Sequence, residues 1–155
     1  MSGAQFSLTG QVAVALPPHE ALQLFTPRGE ERWVRGWRPR FPMQGADDAA
    51  PGTVFETDSH GERTIWVVVE RQEGFRISYA RVTPGSRAGT VTVTVSDDTR
   101  GGATAQVTYE LTALSPQGAR ELRGFADGYP DLLRSWEEAI AAELRSRPPN
   151  AATRA

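Results

Sequence analysis

Between Thr53 and Leu114 the chain passes through a succession of segments in which apolar and polar residues alternate. From about Gln117 to Arg145 the pattern changes to one long apolar stripe at helical spacing. A period of two places side chains on opposite faces of a strand, and a period near 3.6 gathers them on one face of a helix. Strands closed by a single terminal helix form a curled antiparallel sheet with one large element to pack on it. Such an arrangement tends to enclose an apolar space, which is where small molecules bind.

The strand signals are specific enough to assign faces. Near the start, Phe6, Leu8, Val12, Val14 and Leu16 share one parity with Gly10, opposed by Gln5, Ser7, Thr9 and Gln11. This predicts a half-buried strand ending at Pro17-Pro18. Pro18 suits the first turn of a helix, where its missing N–H has no partner to lose. A short helix over His19–Phe25 is expected, then a second over Gly29–Val34 after the cap and proline of Thr26-Pro27. Arg35 to Gly52 reads as a loop carrying Trp37, Phe41 and Met43. It is either a rim or lid over a pocket, or a loop anchored on the core by its aromatics.

In the strand-rich half, Thr53–Thr57, Arg63–Arg71, Phe75–Val82, Thr90–Val95 and Thr104–Leu114 are predicted strands. A tight hairpin at Gln72-Glu73 would pair Arg71 with Gly74, Trp66 with Tyr79 and Val68 with Ile77. Trp66, Val68, Phe75, Ile77 and Tyr79 then share the concave face, and Ile65, Val67, Val69, Arg76, Ser78 and Ala80 the outer one. Val91, Val93 and Val95 point inward, as do Ala105, Val107, Tyr109 and Leu111. The last helix starts at the cap Ser115-Pro116 and presents Leu122, Phe125, Ala126, Tyr129, Leu132, Leu133, Trp136, Ile140 and Leu144. Pro130 cannot donate a backbone hydrogen bond, so a break is expected around Gly124–Tyr129. A disordered tail is expected over residues 147–155, rich in proline and polar groups.

Composition removes several classes of function. The 155 residues suit one domain, with 39% hydrophobic residues to build one core. A net charge of −2 with no basic run argues against nucleic acid as a partner. The chain has no Lys for Schiff-base chemistry and no Cys for disulfides, thiolate catalysis or thiolate-bound zinc. Its two histidines, His19 and His60, have no metal-ligand spacing, and no serine-nucleophile motif or phosphate loop occurs, so no metal and no cofactor is expected. The opening MSGAQFSLTG has neither the basic nor the apolar region of a signal peptide. No stretch approaches the ~20 apolar residues of a membrane span, so stable membrane insertion is not expected and a cytoplasmic location is.

The order strand, two short helices, several strands, long helix resembles the START-like (SRPBCC) superfamily. The segments that carry the resemblance are PHEALQLFTPRGEERWVRGWRPRFP, PGTVFET, TIWVVVE, ISYARVTPGSR, TVTVTV, VTYELTALSPQG and LLRSWEEAI, between about Phe6 and Leu144. The resemblance implies an α+β helix-grip fold: a curved antiparallel sheet of six or seven strands around a long C-terminal helix, as one domain over residues 1–146. The superfamily includes lipid-transfer proteins, polyketide cyclases and aromatases, hormone receptors and co-chaperone domains, so fold alone selects no function.

The expected ligand is a small hydrophobic or aromatic molecule, lipid- or polyketide-like, held between sheet and terminal helix. Its expected lining is Trp66, Val68, Ile77, Tyr79, Val93, Val107, Tyr109, Phe125, Tyr129, Leu133 and Trp136, with the two tryptophans keeping the space small. Two other readings stay open: a cyclase or aromatase using the same pocket, and a protein-interaction module with a vestigial cavity. Among possible acid–base groups, Glu56, Glu70, Arg81, Glu110 and His60, parity turns Glu110 outward and Glu70 inward at a strand end. Tyr79 and Tyr109 are the inward catalytic candidates. The outer apolar row Ile65, Val67, Val69 is either covered or a partner surface, so a monomer or weak homodimer is expected.

Overall fold

A computed structural model describes residues 4–59 and 61–147. His60 and the expected tail from Pro148 onward lie outside the described residues. Six strands form one antiparallel sheet: β1 (Gln5–Val14), β2 (Val54–Ser59), β3 (Glu62–Gln72), β4 (Arg76–Thr83), β5 (Arg87–Asp97) and β6 (Ala103–Ala113), in the order β1-β6-β5-β4-β3-β2. The first strand thus pairs with the last, and α1 (Pro18–Gln23) with a 3-10 turn at Gly29–Arg32 fills the connection between the two sheet edges. Two helices follow, α2 (Pro116–Asp127) and α3 (Tyr129–Arg145). This is the helix-grip α+β fold, with the curved sheet wrapped on its long C-terminal helix.

The helical breaks fall where chain chemistry puts them. Pro18 opens α1, and the N–H groups of Glu20 and Ala21 both reach the Pro17 carbonyl. Ser115 caps α2 by accepting the Gly118 N–H at 2.9 Å. The expected break lies at Gly128, just before Pro130, which falls in the first turn of α3 where its missing N–H is harmless. The break lets α2 lie on β6 while α3 crosses to β1. The second short helix proves tighter and shorter than expected, a single 3-10 turn ending at Arg32.

Sheet and helices interlock through glycine. A β-carbon on Gly10 would stand 2.4 Å from Leu133 Cδ1, so the bare backbone of β1 makes room for α3. A β-carbon on Gly118 would stand 1.9 Å from the Ser86 carbonyl oxygen, which places the first turn of α2 directly on the β4–β5 turn.

The β3–β4 hairpin departs from the expected register. Its loop has three residues, Glu73 to Phe75, with Gly74 at φ 68°, and β3 carries a bulge at Val69. The longer loop moves the pairing by three positions and the bulge returns one. The result pairs Trp66 with Arg81 and Val68 with Tyr79. An even net slip preserves faces, so Trp66, Val68 and Tyr79 remain inside. Two residues change place. Phe75 sits at the hairpin tip and is 44% exposed rather than concave. Glu70, just past the bulge, pairs with outward-facing Ser78 and meets Arg76 at 3.3 Å.

Candidate ligand pocket

A pocket of about 300 Å³ opens between the 3-10 turn, the loop that follows it and the β2–β6 face of the sheet. Its walls are aromatic. Phe55 and Trp66 stack at 5.7 Å with ring planes 2° apart, and Tyr79 and Trp37 meet Trp66 edge-on at 6.0 and 5.5 Å. Trp136 of α3 closes one side, held edge-on to Trp33 at 5.5 Å. Val34, Val91, Val93 and Val107 supply the aliphatic floor.

The walls are fixed by their polar tips. Trp66 donates its indole N–H to Thr57 at 2.9 Å, and Trp37 donates to the Pro27 carbonyl at 2.7 Å. The loop after Trp37 divides the roles expected of it. Arg35, Gly36 and Trp37 form the rim, Phe41 packs on Phe55 at 5.5 Å, and Arg40 forms an antiparallel bridge to Glu56 along the outer edge of β2. Met43 is exposed.

Of the residues expected to line the space, Trp66, Tyr79, Val93, Val107, Tyr109 and Trp136 do so. The other five pack elsewhere. Val68 and Ile77 are fully buried core, with Ile77 toward α1 and the Asp47–Ala49 loop. Phe125 sits behind the wall, edge-on to Tyr109 at 5.0 Å. Tyr129 and Leu133 line a separate groove between α3 and β1. The cause is the break at Gly128: α2 and the first turns of α3 cover β6 and β1, and only the turn bearing Trp136 reaches the pocket. The space therefore lies mainly between the sheet and the 3-10 turn, not under the long helix.

Hydrogen bonding separates the three tyrosines. Tyr79 donates its hydroxyl to the Phe25 carbonyl at 2.6 Å, and Tyr129 donates to the Val107 carbonyl at 2.7 Å. Both are tied to the backbone, so the hydroxyl protons of Tyr79 and Tyr129 are engaged within the fold. Tyr109 alone lines the pocket without a hydrogen-bond partner among the described residues. Burial pushes its phenol up to about 12 even though Arg81 nearby favours the phenolate.

Two charged side chains complete the interior. Arg81 lies with its guanidinium carbon 4.7 Å from the centre of the Trp66 ring. Its single hydrogen bond among the described residues runs from Nη2 to the Thr83 hydroxyl at 3.2 Å, and Nε is buried without a partner. Desolvation lowers Arg81 to about 10. Glu30 of the 3-10 turn is half-buried and also lines the pocket; desolvation by the surrounding protein raises its carboxyl well above the usual carboxylate range. Sequence reading missed Glu30, because a short polar turn carries no facial period. Arg81 shares the parity of Tyr79, and that signal was available.

The remaining acid–base candidates are outside. Glu56 meets Arg40 at 3.4 Å and Arg63 at 3.8 Å, and Glu110 is exposed on the outer face. On that face Ile65 and Val67 are half-buried, while Val69 in the bulge is 49% exposed. No helix among the described residues is long and apolar enough to cross a membrane.

No family model matches the sequence, and no curated protein matches it. Solved structures do share its fold. A Mesorhizobium loti protein superposes with a TM-score of 0.65 at 19% identity, over 92% of this chain and 100% of that one. Norcoclaurine synthase from Thalictrum flavum, solved with dopamine and hydroxybenzaldehyde, gives 0.64 at 12% identity, over 95% and 91%. DynU16, from the dynemicin biosynthetic locus, gives 0.61 at 15% identity, over 87% of this chain and 47% of that one. At these identities the likeness establishes the helix grip and nothing finer.

Proposed function

We propose that this protein binds a compact one- or two-ring organic molecule in the pocket between the 3-10 turn and the sheet. The observation that carries the reading is the aromatic wall of Trp37, Phe55, Trp66, Tyr79 and Trp136 around about 300 Å³. That volume stands at the lower end of the roughly 300–1,000 Å³ found for small-molecule sites, which favours rings over a long-chain lipid. Affinity comes from burying ring surface, at roughly 25 cal/mol per Å² before association costs. The likeness in fold to a protein solved with two small aromatic compounds lends support. Tryptophan emission provides the test, since three of the four tryptophans line or abut the space. Titration with naphthalene derivatives is expected to quench it saturably. Val91→Phe, which fills the pocket from the floor, is expected to abolish the quench while keeping the fold; equal binding by this variant would rule the site out.

A catalytic use of the same pocket is supported by one observation: Tyr109 and Glu30 both face it without side-chain hydrogen-bond partners among the described residues. A neutral carboxyl and a phenol can together hold and move a proton at a substrate carbonyl. An aldol-cyclisation assay with a short polyketide mimic tests this reading. Turnover that falls in both Tyr109→Phe and Glu30→Gln supports it, and turnover unchanged in both rejects it.

A further inference from the structure

We propose that the pocket is built for an anionic aromatic ligand, a ring carboxylate in its simplest form, whose acidic oxygen pairs with Arg81 and accepts the Tyr109 hydroxyl. The inference rests on the ring-binding reading above and deepens it.

Of the arginines lining the pocket, the exposed Arg35 and the interior Arg81 have no ion pair among the described residues, and Arg81 is the one whose Nε is buried. Arg87 on the rim meets Glu62 and Glu121, each at 3.5 Å, and Asp58 meets Arg40 at 2.7 Å. Arg81 has no carboxylate at ion-pairing distance among the described residues and leaves most of its five N–H donors unused. The groups that act on it electrostatically are Tyr109 of β6, Arg87 of β5 and Glu62 of β3, and Glu62 is already engaged with Arg87. A buried cation left in this state is costly, and a protein retains one where something repays it.

The guanidinium lies over the Trp66 ring with its carbon 4.7 Å from the ring centre, and a guanidinium fork is a group that a planar carboxylate can meet with two parallel hydrogen bonds. Tyr109 stands beside it with a hydroxyl that has no partner among the described residues, and Arg81 favours its phenolate. Glu30 makes no ion pair with Arg81 among the described residues, and burial raises its carboxyl, which weakens its repulsion of an anion. The interior thus offers an aromatic wall, one interior guanidinium without an ion pair and the Tyr109 hydroxyl. An aromatic acid supplies the complementary parts.

The experiment compares 2-naphthoate with 2-naphthamide at pH 7 in the full-length protein, by tryptophan quenching and by calorimetry. The two probes share ring and shape and differ in charge. The acid is expected to bind about tenfold or more tightly, the usual worth of a hydrogen bond to a charged group. Arg81→Gln is expected to erase the preference for acid over amide, and Arg81→Lys to retain part of it. Circular dichroism confirms the fold of each variant. Equal affinities for acid and amide in the wild-type protein would overturn the anion site and leave ring binding standing. Failure of both probes to bind would overturn the two together.

Discussion

At the residue scale, the decisive distinction is between polar atoms already spent on the fold and those left facing the pocket. Tyr79 and Tyr129 hold backbone carbonyls at 2.6 and 2.7 Å, so Tyr79→Phe and Tyr129→Phe are each expected to cost about 1 kcal/mol in chemical denaturation. Tyr109→Phe removes no such bond; it is expected to leave stability nearly unchanged and to weaken ligand binding. Glu30 gives a prediction with a definite sign. Its folded-state affinity for a proton exceeds that of the unfolded chain, because burial disfavours the carboxylate. The folded state therefore binds more protons over the window from the ordinary carboxylate range up to the raised value, and stability falls as pH rises through that window. Glu30→Gln is expected to raise stability at pH 7–8 relative to the wild-type protein, because the amide has no charge to desolvate. Below the ordinary carboxylate range the two proteins are expected to melt alike. Equal melting curves at both pH values would remove Glu30 from the buried interior. Neither the role of Glu30 nor the difference among the tyrosines was legible in the sequence, since both depend on which distant atom each tip meets.

At the scale of elements, much was legible. The order of strands and helices, the inward parity of Val91, Val93, Val95, Ala105, Val107 and Tyr109, the Ser115 cap and the break before Pro130 all follow from local rules. The β3–β4 hairpin shows where local rules stop. Loop length and a bulge are set by how the two strands must twist to cover the core, and alternation alone does not count them. The contact between α2 and the β4–β5 turn is equally a matter of packing. Gly118→Ala drives a β-carbon onto the Ser86 carbonyl, and rigid backbone has little room to yield. A loss of about 1–3 kcal/mol is expected in urea unfolding. The first turn of α2 should lose amide-exchange protection before the strands do; a loss spread evenly over the molecule would argue against this local clash.

At the scale of the whole molecule, ligand and fold are linked. A molecule that binds only the folded protein raises its stability by mass action, about 2.7 kcal/mol at a hundred times the dissociation constant. 2-Naphthoate is therefore expected to raise the melting temperature of the wild-type protein and not of Val91→Phe, as scanning calorimetry would read. An equal rise in both proteins would place binding outside the pocket. A curved sheet gripped by a terminal helix, with inner faces rich in aromatic and aliphatic residues, is written into the chain's local pattern. These are consequences of side-chain period and chain-breaking residues, which act over a few neighbours. Where the space lies and what chemistry it holds depend on contacts between distant segments. Glu30 on a single 3-10 turn, Trp37 in a loop, Arg81 on β4 and Tyr109 on β6 are far apart in the chain. They meet because α2 and α3 divide at Gly128 and cover one side of the sheet, leaving the other open beneath the 3-10 turn.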